Sequence, residues 1–286
     1  MYIASLIGPR LDAALVDALR MAWGGQEPVH LCPGEAAEFA IADTPSNLWD
    51  VWADLQREHV DLVVQPAFGR KKAMLLADMD STMIRQECID ELADEAGFGE
   101  RVAAITTRAM NGELDFEEAI IERVGLLKGL PEAVIQKVLD MRIEMMPGGA
   151  TLLATMRANG GYAALVSGGF TAFTEAVAAQ LGFDENRANK LCVEAGVLTG
   201  EVGRPILGQQ AKVDALEQIT ARLGIGVEDV IAVGDGANDL GMLSRAGTGV
   251  ALHAKPSVAE QCSVRVNHGD LTALLYLQGY SRDQFV

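Results

Sequence analysis

Two periodicities alternate over residues 1–70. Residues 2–7 form an extended apolar run that predicts a strand. Leu11, Ala14, Leu15, Ala18 and Leu19 then recur at helical spacing until Gly24-Gly25 interrupts them. Residues 29–31 and 37–41 predict two short strands, Ser46 a cap for a helix running to about residue 59, and residues 61–65 a last strand. The order β-α-β-β-α-β predicts a ferredoxin-like α+β unit over residues 1–70, closed by an exposed joint at Gly69-Arg70-Lys71-Lys72.

From residue 71 the pattern changes. Residues 73–77 are continuously apolar, the signature of a strand covered on both faces, and the run stops at Asp78. Residues 162–166 run in the same way into Ser167-Gly168-Gly169, and residues 230–233 into Gly234-Asp235-Gly236. Helical stretches at 150–159 and 211–223 precede the latter two. Strands alternating with helices predict a doubly wound, Rossmann-like α/β core over residues 71–286, in which ligands bind beyond the carboxyl ends of the strands. All three polar clusters fall at such ends. Residues 88–146 break the alternation and read as four helices in succession, an insert placed to cap the end of the first strand.

The chain is long enough, at 286 residues, for two or three such units, and its 49% hydrophobic content leaves room for a sizeable core. A net charge of -17 argues against a general nucleic-acid surface and against docking on anionic membranes. It leaves open a small phosphorylated ligand held by a metal and a few converging basic groups. Cys32, Cys88, Cys192 and Cys262 are widely spaced and read as reduced thiols. Residues 1–15 lack a basic start and a long apolar run, so the expectation is a soluble, cytoplasmic protein with no membrane partner.

Asp78 and Asp80 stand two apart just past a buried strand. Two neighbouring carboxylates can divide the work of phosphoryl transfer, one attacking as the ionised form and one moving a proton, with a hard cation offsetting the repulsion between anions. An acidic turn or a structural metal site gives the same pair. Asp235 and Asp239, in Gly234-Asp235-Gly236-Ala237-Asn238-Asp239, can complete an oxygen-rich metal shell or form a turn that starts a helix. Ser167 with the N–H groups of Gly168 and Gly169 has the makings of an anion nest, although a plain strand-to-helix turn reads alike. Lys212 is a single cation near a helix start, the kind more often found in solvent.

Taken together, Asp78-Met79-Asp80-Ser81-Thr82, Ser167-Gly168-Gly169, Lys212 and Gly234-Asp235-Gly236-Ala237-Asn238-Asp239 resemble, in their usual order, the four motifs of the haloacid dehalogenase superfamily. The resemblance implies that Asp78 forms an aspartyl-phosphate and that Asp80 acts as general acid and then general base. It implies that Ser167, Gly168 and Lys212 hold the phosphoryl oxygens. Asp78, the main-chain carbonyl of Asp80 and Asp235 would bind Mg2+, with Asp239 and Asn238 orienting that site. Within the superfamily the chain looks most like the branch that hydrolyses O-phospho-L-serine, on the DMDST form of the first motif, Glu87 nine residues on, the stretch 105–112, and Asp115-Phe116 and Arg123-Val124. In that branch Glu87 receives the ammonium, Arg123 the carboxylate, and Met110 and Phe116 line the lid. Passing the phosphoryl group to another alcohol such as homoserine would use the same first half-reaction. A non-enzymatic phospho-acceptor regulator needs only Asp78. Related enzymes often carry an ACT-like regulatory unit in front. A degenerate, structural or dimerising role suits residues 1–70 equally, a homodimer being one expected assembly.

Overall fold

The computed structural model describes residues 1–110 and 114–286, apart from the side chains at positions 107, 109 and 110. Strands β1 (Tyr2–Ile7), β2 (Val29–Cys32), β3 (Ala36–Ile41) and β4 (Asp61–Pro66) form an antiparallel sheet in the order β2-β3-β1-β4, with α1 (Ala13–Ala22) and α2 (Leu48–Arg57) between them in the chain. Ala4, Leu6, Phe39 and Leu62 of the sheet cluster with Val16, Leu19 and Leu55 of the helices. Asp12 caps α1, its carboxylate accepting the Ala14 N–H at 2.9 Å. Ser46 does not cap α2 as expected. Asn47 holds that position without a capping bond, and a turn closed by the Leu48 N–H on the Pro45 carbonyl starts the helix instead.

The remainder begins with β5 (Met74–Ala77) and the helices α3 (Cys88–Glu95), α4 (Gly99–Met110), α5 (Phe116–Gly125) and α6 (Ala133–Met141). Then come α7 (Gly149–Ala158), β6 (Tyr162–Phe170), α8 (Thr171–Leu181), β7 (Glu185–Asn189) and the hairpin of β8 (Leu191–Glu194) and β9 (Val197–Val202). The chain ends through α9 (Gln209–Leu223), β10 (Val230–Gly234), α10 (Leu240–Arg245), β11 (Thr248–Leu252), α11 (Pro256–Ala259), β12 (Val264–Val266) and α12 (Ala273–Leu277). Six strands make one parallel sheet in the order β12-β11-β10-β5-β6-β7. Every residue of β5 and β10 is buried, as their unbroken apolar runs require. This is the Rossmann-like α/β core the alternation predicts.

Two features differ from that expectation. β7, β8, β9, β11 and β12 carry no comparable run. They are short, and β7, Glu-Asn-Arg-Ala-Asn, is largely half-buried at a sheet edge. The second motif is not a turn after its strand: β6 continues to Phe170, and its register against β7 slips between Val166 and Phe170, with Ser167, Gly168 and Gly169 inside the slip.

The helical insert leaves and re-enters the core through two adjacent segments. Ile84 bridges Met145, the Arg85 N–H donates to the Glu144 carbonyl and the Met146 N–H to the Met83 carbonyl, both at 2.9 Å. The β8–β9 hairpin also grips the insert, since Leu198 exchanges backbone bonds with Gly129 and Leu130, both at 2.8 Å.

The first sheet lies against the core. Buried Asp61 accepts N–H groups from Asn267, His268 and Gly269, at 2.8 Å from Asn267 and Gly269 and 3.0 Å from His268. Arg70 pairs with Glu38 through both terminal nitrogens and donates to the carbonyls of Tyr276 and Leu277. Ile7, Ala36 and Val63 join the same apolar cluster as Leu274, Tyr276 and Leu277 of α12. Among the described residues no helix is long and apolar enough to cross a membrane.

Candidate active site

β5, β6 and β10 end side by side, and their polar ends meet. The Asp78 N–H bonds to the Val233 carbonyl at 3.0 Å, which sets the first motif against the fourth. Lys212, rising from the first turn of α9, is fully buried between two carboxylates: its Nζ lies 2.5 Å from Asp78 Oδ1 and 2.6 Å from Asp239 Oδ1. Burial disfavours the charged amine, but Asp239 and Asp78 together outweigh that and hold Lys212 cationic, with its pKa raised. Burial and then Asp239 push Asp78 up, and Lys212 pulls against them. Asp235 is pushed up to about 6, by burial and then by Asp239. The sequence suggested a solvated lysine as the common case; here it is buried and bonded to two carboxylates of this group.

Asp78, Asp235 and Asp239 present oxygens that all lie within 4.8 Å of one another. An all-oxygen, anionic donor set of this size suits a hard divalent cation. Both oxygens of Asp239 are already engaged, one by Lys212 and the other by the Gly236 N–H at 3.0 Å, so its role is to hold the group together. Asp235 is steadied by the Thr82 hydroxyl, 3.3 Å from its Oδ1.

Asp80 points elsewhere. Its Oδ1 accepts the Cys88 N–H at 2.8 Å, at the start of α3, and its Oδ2 accepts the Ser167 hydroxyl at 3.1 Å. A helix N-terminus favours a carboxylate there. The hydroxyl of Ser167 accepts in turn from the Gly169 N–H at 2.8 Å. The glycines of this motif leave no room for side chains: a Cβ on Gly169 would stand 2.6 Å from Asp80 Oδ2, and one on Gly168 would stand 3.0 Å from the Phe116 ring.

Above these groups opens a cavity of about 640 Å³ between the strand ends and the insert. Asp78, Asp80, Gly168, Asp235 and Asn238 line its floor, and Glu87, Phe116 and Arg123 line the insert side. Glu87 starts α3 without capping it; its Oε1 accepts the Ser81 hydroxyl at 2.8 Å. Ser81 itself adopts a left-handed backbone, φ 55°. Crowding by protein and then the charge of Asp80 push Glu87 up to about 8. Among the described residues Arg123 spends only Nε, on the Ala119 carbonyl at 3.2 Å, and forms no ion pair with Glu118 or Glu122; Glu122 pairs with Arg108 instead. The Met110 side chain, expected in the lid, lies outside the described residues. Asp90 and Lys255 also line the cavity, and neither is among the residues expected there. For Asp90 a signal existed: it lies three residues after Glu87, on the same side of a helix start.

Residues 75–244 match the model of the haloacid dehalogenase-like hydrolases. The chain belongs to that family. Relatives of this haloacid dehalogenase-like chain include the phosphoserine phosphatase of Haemophilus influenzae, 47% identical over 204 residues, which are 71% of this chain and 65% of the relative. The chain thus spans a little under two thirds of that relative's length. A haloacid dehalogenase family hydrolase from Salmonella enterica serovar Typhi superposes with a TM-score of 0.88 at 32% identity, over 96% of this chain and 97% of the other. A phosphoserine phosphatase solved as a phospho-aspartyl intermediate analogue gives a TM-score of 0.68 at 41% identity, over 72% and 98%.

Proposed function

We propose that this chain hydrolyses O-phospho-L-serine to L-serine and phosphate through an aspartyl-phosphate on Asp78. The observation that carries this reading is the cavity itself. It sets a nucleophilic carboxylate, bonded from behind by a buried lysine, at its floor and one carboxylate and one guanidinium in the insert wall, a match for the phosphate, ammonium and carboxylate of phosphoserine. The names of the relatives support the same substrate.

In this reading Asp78 attacks phosphorus in line with the serine oxygen. Lys212 and Ser167 take the phosphoryl oxygens with the Gly168 N–H, and Asn238 orients the floor. Asp80, protonated, gives its proton to the leaving serine oxygen as the P–O bond breaks. It then takes a proton from the water that attacks the aspartyl-phosphate, returning Asp78. The Cys88 N–H holds Oδ1 of Asp80 in place through both steps, and Oδ2 is freed for the proton when the Ser167 hydroxyl turns to the phosphoryl group. Asp78, the carbonyl of Asp80 and Asp235 would hold Mg2+, with Asp239 in support; that ion supplies positive charge against the phosphate. Phe116, wedged against Gly168 and Gly208, closes the cavity wall. Residues 71–286 are the phosphatase core with its cap at about 88–146. Residues 1–70 form a ferredoxin-like, ACT-type unit, which the strand order β2-β3-β1-β4 supports.

The test is phosphate release from a panel of small esters with Mg2+, both phosphoserine enantiomers included. Phosphoserine is expected to lead the panel. Arg123→Ala should raise KM for phosphoserine by about tenfold or more, the loss of roughly one charge-assisted bond, and leave p-nitrophenyl phosphate nearly unchanged. Equal effects on the two esters would remove Arg123 from carboxylate recognition. A pH dependence follows as well. Glu87 is raised towards about 8, so it gains its negative charge as pH climbs through that region. The kcat/KM profile for phosphoserine should therefore show a rising limb, at or below about 8, that Glu87→Gln removes. A profile for p-nitrophenyl phosphate with the same limb would assign it to another group.

A further inference from the structure

Asp90 faces the cavity, and the reaction as described leaves it without a task. It belongs to the first turn of α3, next to Glu87. Its Oδ1 is buried and has no hydrogen-bond partner among the described residues. Buried carboxylate oxygens are seldom left so, and those that are call for a donor that arrives later. Arg123, on α5, is its counterpart. The guanidinium is largely enclosed and, among the described residues, uses Nε alone and makes no salt bridge, so both terminal nitrogens remain to be used. Asp90 exerts the strongest attraction on Arg123, ahead of Glu87 and Asp80, and Arg123 is the strongest opposite charge acting on Asp90. Two under-satisfied groups of opposite sign thus face one cavity from two helices of the insert.

We propose that Asp90 is the positioning residue for Arg123: it accepts from one terminal nitrogen of the guanidinium and turns the other towards the substrate's carboxylate. The inference rests on the phosphoserine reading above. It explains why a cation that must meet a substrate carboxylate is set among three carboxylates of the protein. Glu87 and Asp80 have other tasks, and Asp90 fixes the direction of the fork. An Arg anchored at Nε by Ala119 and at one terminal nitrogen by Asp90 has little rotational freedom left to lose on binding.

The experiment compares wild type, Asp90→Asn and Asp90→Ala, as the full chain with Mg2+, on four esters. Phosphoserine carries both groups, O-phospholactate the carboxylate alone, phosphoethanolamine the ammonium alone and p-nitrophenyl phosphate neither. The expected result is a KM about tenfold higher for phosphoserine and phospholactate, with phosphoethanolamine and p-nitrophenyl phosphate within about twofold and kcat little changed. In an Arg123→Ala background Asp90→Asn should add nothing. A loss on phosphoethanolamine would place Asp90 on the ammonium and overturn the proposal. So would an equal loss on all four esters, the mark of a helix-start acid that only supports the fold, or full additivity with Arg123→Ala. A wild type that does not prefer phosphoserine to p-nitrophenyl phosphate overturns the substrate reading and this inference with it. A preference that Asp90 variants leave intact overturns this inference alone.

Discussion

Asp78→Asn should lower phosphate release from phosphoserine by about four orders of magnitude or more, roughly 5.5 kcal/mol of lost transition-state stabilisation. The amide keeps the volume and can still accept from Lys212, whose second partner, Asp239, is untouched. The fold should therefore survive, which circular dichroism and a normal unfolding midpoint would verify. What disappears is the anionic oxygen that bonds to phosphorus. A residual rate within tenfold of wild type would show that water attacks directly and that Asp78 is only a site for the ion. Trapping a labelled phosphoryl group on the wild-type chain, absent from the variant, separates these outcomes a second time.

The second large effect is on stability. Lys212→Met should cost about 3–5 kcal/mol, because it strands two buried carboxylates that now share one cation. Urea unfolding without added divalent ion measures it directly. The pH dependence has a definite sign. Burial already pushes Asp78 up, and loss of the lysine removes the main charge that opposes this. The folded variant then binds more protons than its unfolded chain, so its stability falls as pH rises and recovers as pH drops. A midpoint equal to wild type at neutral pH, or a deficit that grows in acid, would contradict this description of the site. The same variant should also be inactive, but that alone would not distinguish a lost phosphate contact from a collapsed floor.

How much of this was legible beforehand depends on the range of the interaction. Runs such as residues 73–77 and 230–233 announce buried parallel strands, and their last residues mark the site, because a strand covered on both faces cannot disguise itself. The four helices of the insert were equally plain in their spacing. Edge strands were not: β7 reads Glu-Asn-Arg-Ala-Asn, with one apolar residue in five, and β12 is only three residues long. Within the site the residue types were readable and their partners were not. That Lys212 bridges Asp78 and Asp239, that the Cys88 N–H holds Asp80, and that Thr82 steadies Asp235 are contacts between elements far apart in the chain. No local pattern encodes them. Asp90 falls between the cases, since its spacing from Glu87 was visible and its orphaned oxygen was not.

The apolar seam between the first sheet and α12 has a consequence for how such chains can be built. The sheet has two oily faces, one covered by α1 and α2 and the other by the core alone, where Ile7, Ala36 and Val63 meet Leu274, Tyr276 and Leu277. A unit attached in this way is not a bead on a string. Removing it would bare a hydrophobic patch on the core as well as strip Asp61 from the three N–H groups of the 267–269 loop. That loop continues into Leu271, whose N–H is bonded to the Pro147 carbonyl at the root of the insert. A family member without the unit needs a polar face in place of α12's apolar one and another anchor for that loop. Gain or loss of the first sheet in this lineage is therefore a coordinated rewriting of two surfaces rather than a cut at the joint.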